Sequence, residues 1–153
     1  RMDAHIQGHE ALATSYGLLT SITGIAAVTA TTLLAEIGDI HRFKSARQLA
    51  AYAGLTPQER KSGTSLTGKT RLCKIGNSVL RKALYFPAIT AARHCPELRA
   101  FYDRLIAAGK SKMQAIGAVM HKLIRIVFGV LKSGKSFDPD FLTKNNTPKP
   151  VAV

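Results

Sequence analysis

Residues 112–132 set the terms for any fold this chain can adopt. Ile116, Val119, Met120, Leu123, Ile124, Val127, Val130 and Leu131 recur at helical spacing and cover most of one helix's circumference. The polar positions Gln114, His121, Lys122, Arg125 and Lys132 share one narrow stripe. A helix this apolar is buried on several sides. It stands at the centre, shows solvent only that stripe, and needs other helices around it.

Start and stop signals supply those helices. Residues 3–20 read as a helix with Ile6, Leu12, Leu18 and Leu19 on a weak apolar side, interrupted at Thr23-Gly24. Residues 25–37 form a second apolar helix stopped by Gly38. Ser45 caps Ala46–Ala53, which ends at Gly54. Asn77 caps a helix from Ser78 to about His94, with Pro87 kinking or restricting its middle. Pro96 suits the first turn of a helix through Ala108, ended by Gly109. Ser111 caps the central helix, which runs to about Lys132 and Ser133-Gly134. The stretch from Pro57 to Gly76 reads as a loop, with Leu66 and Thr67 in a short hairpin. No strand run has convincing length. The expected fold is all-α: a compact helical domain with a basic loop and at most a short β-hairpin. The 153 residues suffice for one core.

Charge narrows the partners. The net charge is +13, a field that attracts polyanions at long range. A membrane role is disfavoured, because no stretch reaches the roughly 18 uninterrupted apolar residues of a spanning helix. Cys73 and Cys95 have no CxxC spacing and read as free thiols of a reducing cytoplasm. His5 and His9, at i,i+4, read as solvated rather than metal-binding. The nine carboxylates are scattered, without a paired-acid or DxD arrangement, so no metal site is expected in this chain.

The positive charge is concentrated. Arg60, Lys61, Lys69, Arg71 and Lys74 surround a small-residue loop that offers Ser62 and Ser65, and only Glu59 opposes them. Arg81 and Lys82 carry the charge onto the next helix. Such a set neutralises phosphates without reading sequence. A serine hydroxyl that attacks phosphorus needs deprotonation and charge stabilisation on the phosphoryl oxygens, and the neighbouring cations supply the second. Spacing alone leaves Ser62 and Ser65 equal candidates. Leu19 to Ala30 resembles a helix-hairpin-helix turn, in which Gly24 would let the backbone approach a phosphate and the next helix would offer free N–H groups. An ordinary helix–helix turn explains the same residues.

Several segments form an ordered series: Ile22-Thr-Gly24-Ile, Thr32-Leu-Leu-Ala-Glu36-Ile-Gly-Asp39, Arg42 through Pro57, Ser62-Gly-Thr-Ser, Lys74-Ile-Gly-Asn77, Leu80-Arg-Lys-Ala-Leu84 and Leu131-Lys-Ser-Gly-Lys135. The series resembles the C-terminal domain of the insertion-sequence "one-ten / one-sixteen" transposases, over roughly residues 20–137. The resemblance implies a site-specific DNA transposase or recombinase of a mobile element. Its members carry an N-terminal RuvC-like nuclease domain with a DEDD acid set and magnesium, then a coiled coil, then this domain. It implies a DNA-binding helical module with a serine nucleophile in a Ser-Gly motif, which falls on Ser62 with Ser65 as fallback. Some members are guided by a structured RNA. Residues 1–19 are then the end of a linker or coiled-coil helix, 20–137 the DNA-binding domain, and 138–153 a flexible tail. DNA is the expected partner, with a guide RNA and a homo-oligomer in some assemblies, in the bacterial cytoplasm at the nucleoid. This chain has Ala26 where members usually have glycine, and it carries no acid set. Alone it is expected to bind nucleic acid without transposing it. Two rival readings stay open: a non-catalytic DNA-binding module, and a basic helical protein that binds structured RNA or another partner.

Overall fold

The computed structural model describes residues 10–58, 71–72 and 75–140. Among them are seven α-helices: α1 (Glu10–Thr20), α2 (Ala27–Ile37), α3 (Ala46–Tyr52), α4 (Ser78–Ala83), α5 (Tyr85–His94), α6 (Pro96–Ala107) and α7 (Lys112–Ser133). A 3₁₀ turn (Ile40–Arg42) precedes α3, with the Asp39 side chain accepting from the His41 amide. Two short strands, β1 (Pro57–Gln58) and β2 (Arg71–Leu72), pair antiparallel. The domain is all-α, as the pattern predicts; the strand pair forms a small hairpin root within the stretch that reads as a loop. The hairpin expected at Leu66 and Thr67 lies outside the described residues.

α7 is the centre. It packs on α1, α3, α5, α6 and the 3₁₀ turn. Val119, Leu123, Ile124 and Val127 are fully buried in it. Each such side chain contributes about 2 kcal/mol through burial. Ser111 and Gln114 form a reciprocal capping box at its start, and Gly134 closes its end. Among the described residues α7 alone is long and apolar enough to cross a membrane by length and composition, yet half of its apolar stretch is buried inside the fold, as in a core helix.

The helix expected over 78–94 is two helices. α4 stops at Ala83 and α5 restarts at Tyr85, three residues before the point where a kink is expected. Pro87 has no N–H to donate to the Ala83 carbonyl, and its ring would collide with that carbonyl in a continuous helix. The break at Leu84 places Pro87 in the first turn of α5, where a missing N–H costs nothing.

α2 runs antiparallel to the α4–α5 unit. At its start Gly24 touches the backbone of Pro87 and Ala91; at its end Glu36 meets Asn77. A second cluster of Ala91, Cys95 and Leu98 joins α5 to α6, with Ile126 and Phe137 against it. Cys95 is a free, buried thiol whose pKa is raised by burial. Cys73, His5 and His9 lie outside the described residues.

Candidate nucleic-acid interface

The described residues on either side of the basic segment in sequence form a tightly held root. In the β1–β2 ladder Pro57 faces Leu72 and Gln58 faces Arg71. Just outside it, the chain's two arms touch backbone to backbone. Gly76 has φ +149°, and a Cβ there would lie 2.6 Å from the Tyr52 carbonyl oxygen and 2.7 Å from the Gly54 nitrogen. No side chain fits that gap, so glycine is required. The Asn77 amide donates to the Tyr52 carbonyl at 2.7 Å.

Side chains from four elements lock this root. Asn77 caps α4 by accepting from the Leu80 amide at 2.9 Å. Its amide nitrogen donates to a Glu36 carboxylate oxygen at 2.6 Å and to the Tyr52 hydroxyl at 3.4 Å. The Tyr52 hydroxyl donates to the Glu36 carbonyl at 3.3 Å. Arg42 donates from Nε to the Ile37 carbonyl at 3.0 Å, and its guanidinium lies 4.6 Å from the Phe43 ring centre and 5.0 Å from that of Tyr52. The Asn77 hydrogen bond, then Arg42, lowers the Tyr52 pKa below its ordinary value. Glu36, Tyr52 and Asn77 are half-buried, so these bonds are partly shielded from water.

The positions singled out in the sequence divide sharply. Arg60, Lys61, Ser62, Ser65, Lys69 and Lys74 lie outside the described residues; Arg71 stands in β2. Lys82 is exposed on α4, and Arg81 beside it is half-buried. One guanidinium nitrogen of Arg81 and the Thr56 hydroxyl are buried without a hydrogen-bond partner among the described residues. Both flank the hairpin root in sequence, Thr56 before β1 and Arg81 after Asn77.

Gly24 stands apart from this group. It lies at the other end of α2, which spans about 16 Å over its 11 residues. Its φ is +93°, and a Cβ would sit 2.5 Å from the Pro87 carbonyl oxygen. Packing against α5 therefore accounts for glycine at this turn, as in the helix–helix alternative. Ala26 caps α2 in an extended conformation, φ −98°, that any residue adopts. The α2 start remains exposed at Ala26, Ala27 and Val28, with its first amides uncapped by any side chain.

The locking network was not predicted. No local spacing announces it, since Asn77 and Glu36 are 41 residues apart. A signal existed in the ordered series: Glu36, Arg42, Tyr52 and Asn77 each belong to a different stretch of it or to a separate turn of one stretch, and all four meet at the root.

Among the described residues, no three His, Cys, Asp or Glu side chains converge in a group able to hold a metal ion.

Comparison with known proteins agrees with the series. Residues 16–103 match the family model described as Transposase IS116/IS110/IS902 family. The chain is 38% identical over 122 residues to a pilin gene-inverting protein of Moraxella bovis, covering 79% of this chain and 38% of that protein. It is 36% identical over 121 residues to an uncharacterized 43.6 kDa protein of insertion element IS110 from Streptomyces coelicolor, covering 79% and 30%. It is 30% identical over 122 residues to the transposase of insertion sequence element IS1111A from Coxiella burnetii, covering 76% and 33%. The matched stretch is thus 30–38% of the length of these relatives.

Proposed function

The chain belongs to the IS116/IS110/IS902 transposase family, and from that premise we propose that it is the C-terminal, DNA-binding, serine-bearing domain of an insertion-sequence transposase. The observation that carries this reading is the clamped hairpin root. A basic, serine-bearing segment can deliver an attacking hydroxyl only if its two ends are held, and Gly76, Asn77 and Glu36 hold them.

Phosphates are neutralised by Arg60, Lys61, Lys69, Arg71 and Lys74, with Arg81 and the exposed Lys82 extending the surface onto α4. Ser62 attacks the phosphorus of a phosphodiester. An Oγ–P bond forms, the bond from phosphorus to one deoxyribose oxygen breaks, the serine proton goes to a general base, and the departing oxygen takes up a proton. The exposed start of α2 grips a further backbone phosphate.

The magnesium that the family resemblance implies belongs to a nuclease domain. The described carboxylates of this chain do not converge to hold one, so no step is assigned to it here. By this reading the domain binds DNA alone and recombines it only with the rest of a protein of the relatives' length, as a homo-oligomer in the bacterial cytoplasm, with a guide RNA in some members.

The test has two stages. Duplex affinity across a salt series should fall roughly 100-fold between about 50 and 200 mM salt if four phosphates are neutralised. Changing Arg60, Lys61, Lys69 and Arg71 to Glu should abolish it; retention would move the DNA surface away from this segment. In a recombination-competent protein carrying this domain, denaturing electrophoresis should trap a covalent protein–DNA adduct. Ser62→Ala should remove the adduct and Ser65→Ala should not. Recombination without any serine adduct would make this a plain binding module.

A further inference from the structure

A groove of about 720 Å³ opens between α5, α6 and the start of α7, away from the elements that form the hairpin root. Its volume falls within the range of built ligand sites. Ile89, Ala92 and Ile116 make an apolar floor, and the rings of Tyr85 and Tyr102 stand half-buried in its walls. Tyr85 is held: its hydroxyl donates to the Met113 sulfur at 3.9 Å, and its ring meets Phe86 edge-on at 5.3 Å. The rim carries Arg93, Arg99 and Lys112, all exposed, against the single carboxylate of Asp103. None of these three cations has an ion-pair or hydrogen-bond partner among the described residues. The first turn of α7 has no acidic residue to balance Lys112 and the helix's own positive end.

Apolar floor, aromatic walls and unpaired cations at the rim form one chemical combination. Duplex DNA offers phosphates but keeps its base faces stacked. An unpaired strand offers both, with bases for the tyrosine rings and phosphates for the rim. The geometry points to a second nucleic-acid site in this groove, one that takes an unstacked nucleotide of a single strand with its flanking phosphates. This rests on the proposal that the chain binds nucleic acid. It adds a strand that the 58–76 segment does not hold.

The experiment measures binding of fluorescein-labelled dT20, rU20 and a 20-base-pair duplex to the whole chain. Four variants are compared: Tyr102→Leu, Tyr102→Phe, R99E/K112E, and the loop variant with Arg60, Lys61, Lys69 and Arg71 changed to Glu. Tyr102→Leu should weaken single-strand binding about tenfold, the effect of losing one stacked base. Tyr102→Phe, which keeps the ring, should restore it. R99E/K112E should weaken the single strand more than the duplex, and the loop variant should do the reverse. Thermal melting of each variant checks that it folds. Preference for rU20 or dT20 supports the groove and tells whether the strand is RNA or DNA. Equal loss of strand and duplex in R99E/K112E, or an unchanged single-strand affinity in Tyr102→Leu, overturns the proposal. So does displacement of dT20 and rU20 by poly-glutamate at equal charge, which would mean bulk charge alone. Loss of duplex binding in the loop variant reports on the proposed function, so the two failures are separable.

Discussion

The central helix and the hairpin root are held in opposite ways. α7 is fixed by many interchangeable apolar contacts, with Val119, Leu123, Ile124 and Val127 enclosed on all sides. The root is fixed by a few bonds that have no substitute: one backbone gap that admits only glycine, one asparagine with three bonds, and one carboxylate from a distant helix. Apolar packing tolerates exchange of shape for shape. A polar clamp loses its function when one donor goes. The contrast separates what holds the domain together from what fixes the hairpin root.

The largest expected effect tests the first half of that contrast. Leu123→Ala should cost about 2–5 kcal/mol in chemical denaturation. Duplex affinity below the melting transition should stay near wild type, because the root is untouched; a parallel loss would show that core and root are one unit. Gly76→Ala should come next, at about 2–4 kcal/mol, since its Cβ meets two backbone atoms at an unfavourable φ. Here duplex affinity should fall together with stability. Asn77 sharpens the point further. Asn77→Ala should cost about 1–2 kcal/mol by loss of the α4 cap. Asn77→Asp keeps the cap but replaces the donor facing Glu36 with a second carboxylate. If the aspartate variant melts like wild type, the cap alone matters and the clamp reading fails.

The smallest effect belongs to the polar stripe of α7. Burial, then Arg125 and Lys122, lower the His121 pKa below 6.5. Its charged form is therefore disfavoured in the folded state. The stability it contributes is present above about pH 6.5 and is lost as pH falls through the lower, folded-state value. A melting series from pH 7.5 to about pH 5 should show a decline that is smaller in His121→Gln. Identical slopes would mean that other groups drive acid destabilisation.

Most of the helical frame was legible because its signals are local. Ser45, Asn77 and Ser111 cap the helices they were expected to cap, and the apolar pattern of 112–132 marks the helix that is buried. The single helix expected over 78–94 breaks at Leu84, ahead of Pro87, because a proline acts on the carbonyl four residues earlier, not on its own position. The 3₁₀ turn was missed because three residues carry no period. The Gly24 turn was legible as a turn but not in purpose, since its neighbour in space, Pro87, is 63 residues away in sequence. The locking network shares that cause: each bond joins segments that only the fold brings together. The groove on α5–α7 is not legible in the sequence because its cations come from three helix ends, and no single stretch is rich in them.

The antiparallel seating of α2 also works as a gauge of length. One end is pinned at Pro87 and the other at Asn77, so α2 and the α4–α5 unit must agree in span. A residue inserted into either would rotate Glu36 away from Asn77 by about 100° and shift it by about 1.5 Å. An insertion between residues 59 and 70, beyond the ladder in sequence, leaves that match of spans unchanged. Engineered insertions that enlarge the basic segment therefore belong there, where the mooring of Gly76, Asn77 and Glu36 is left intact.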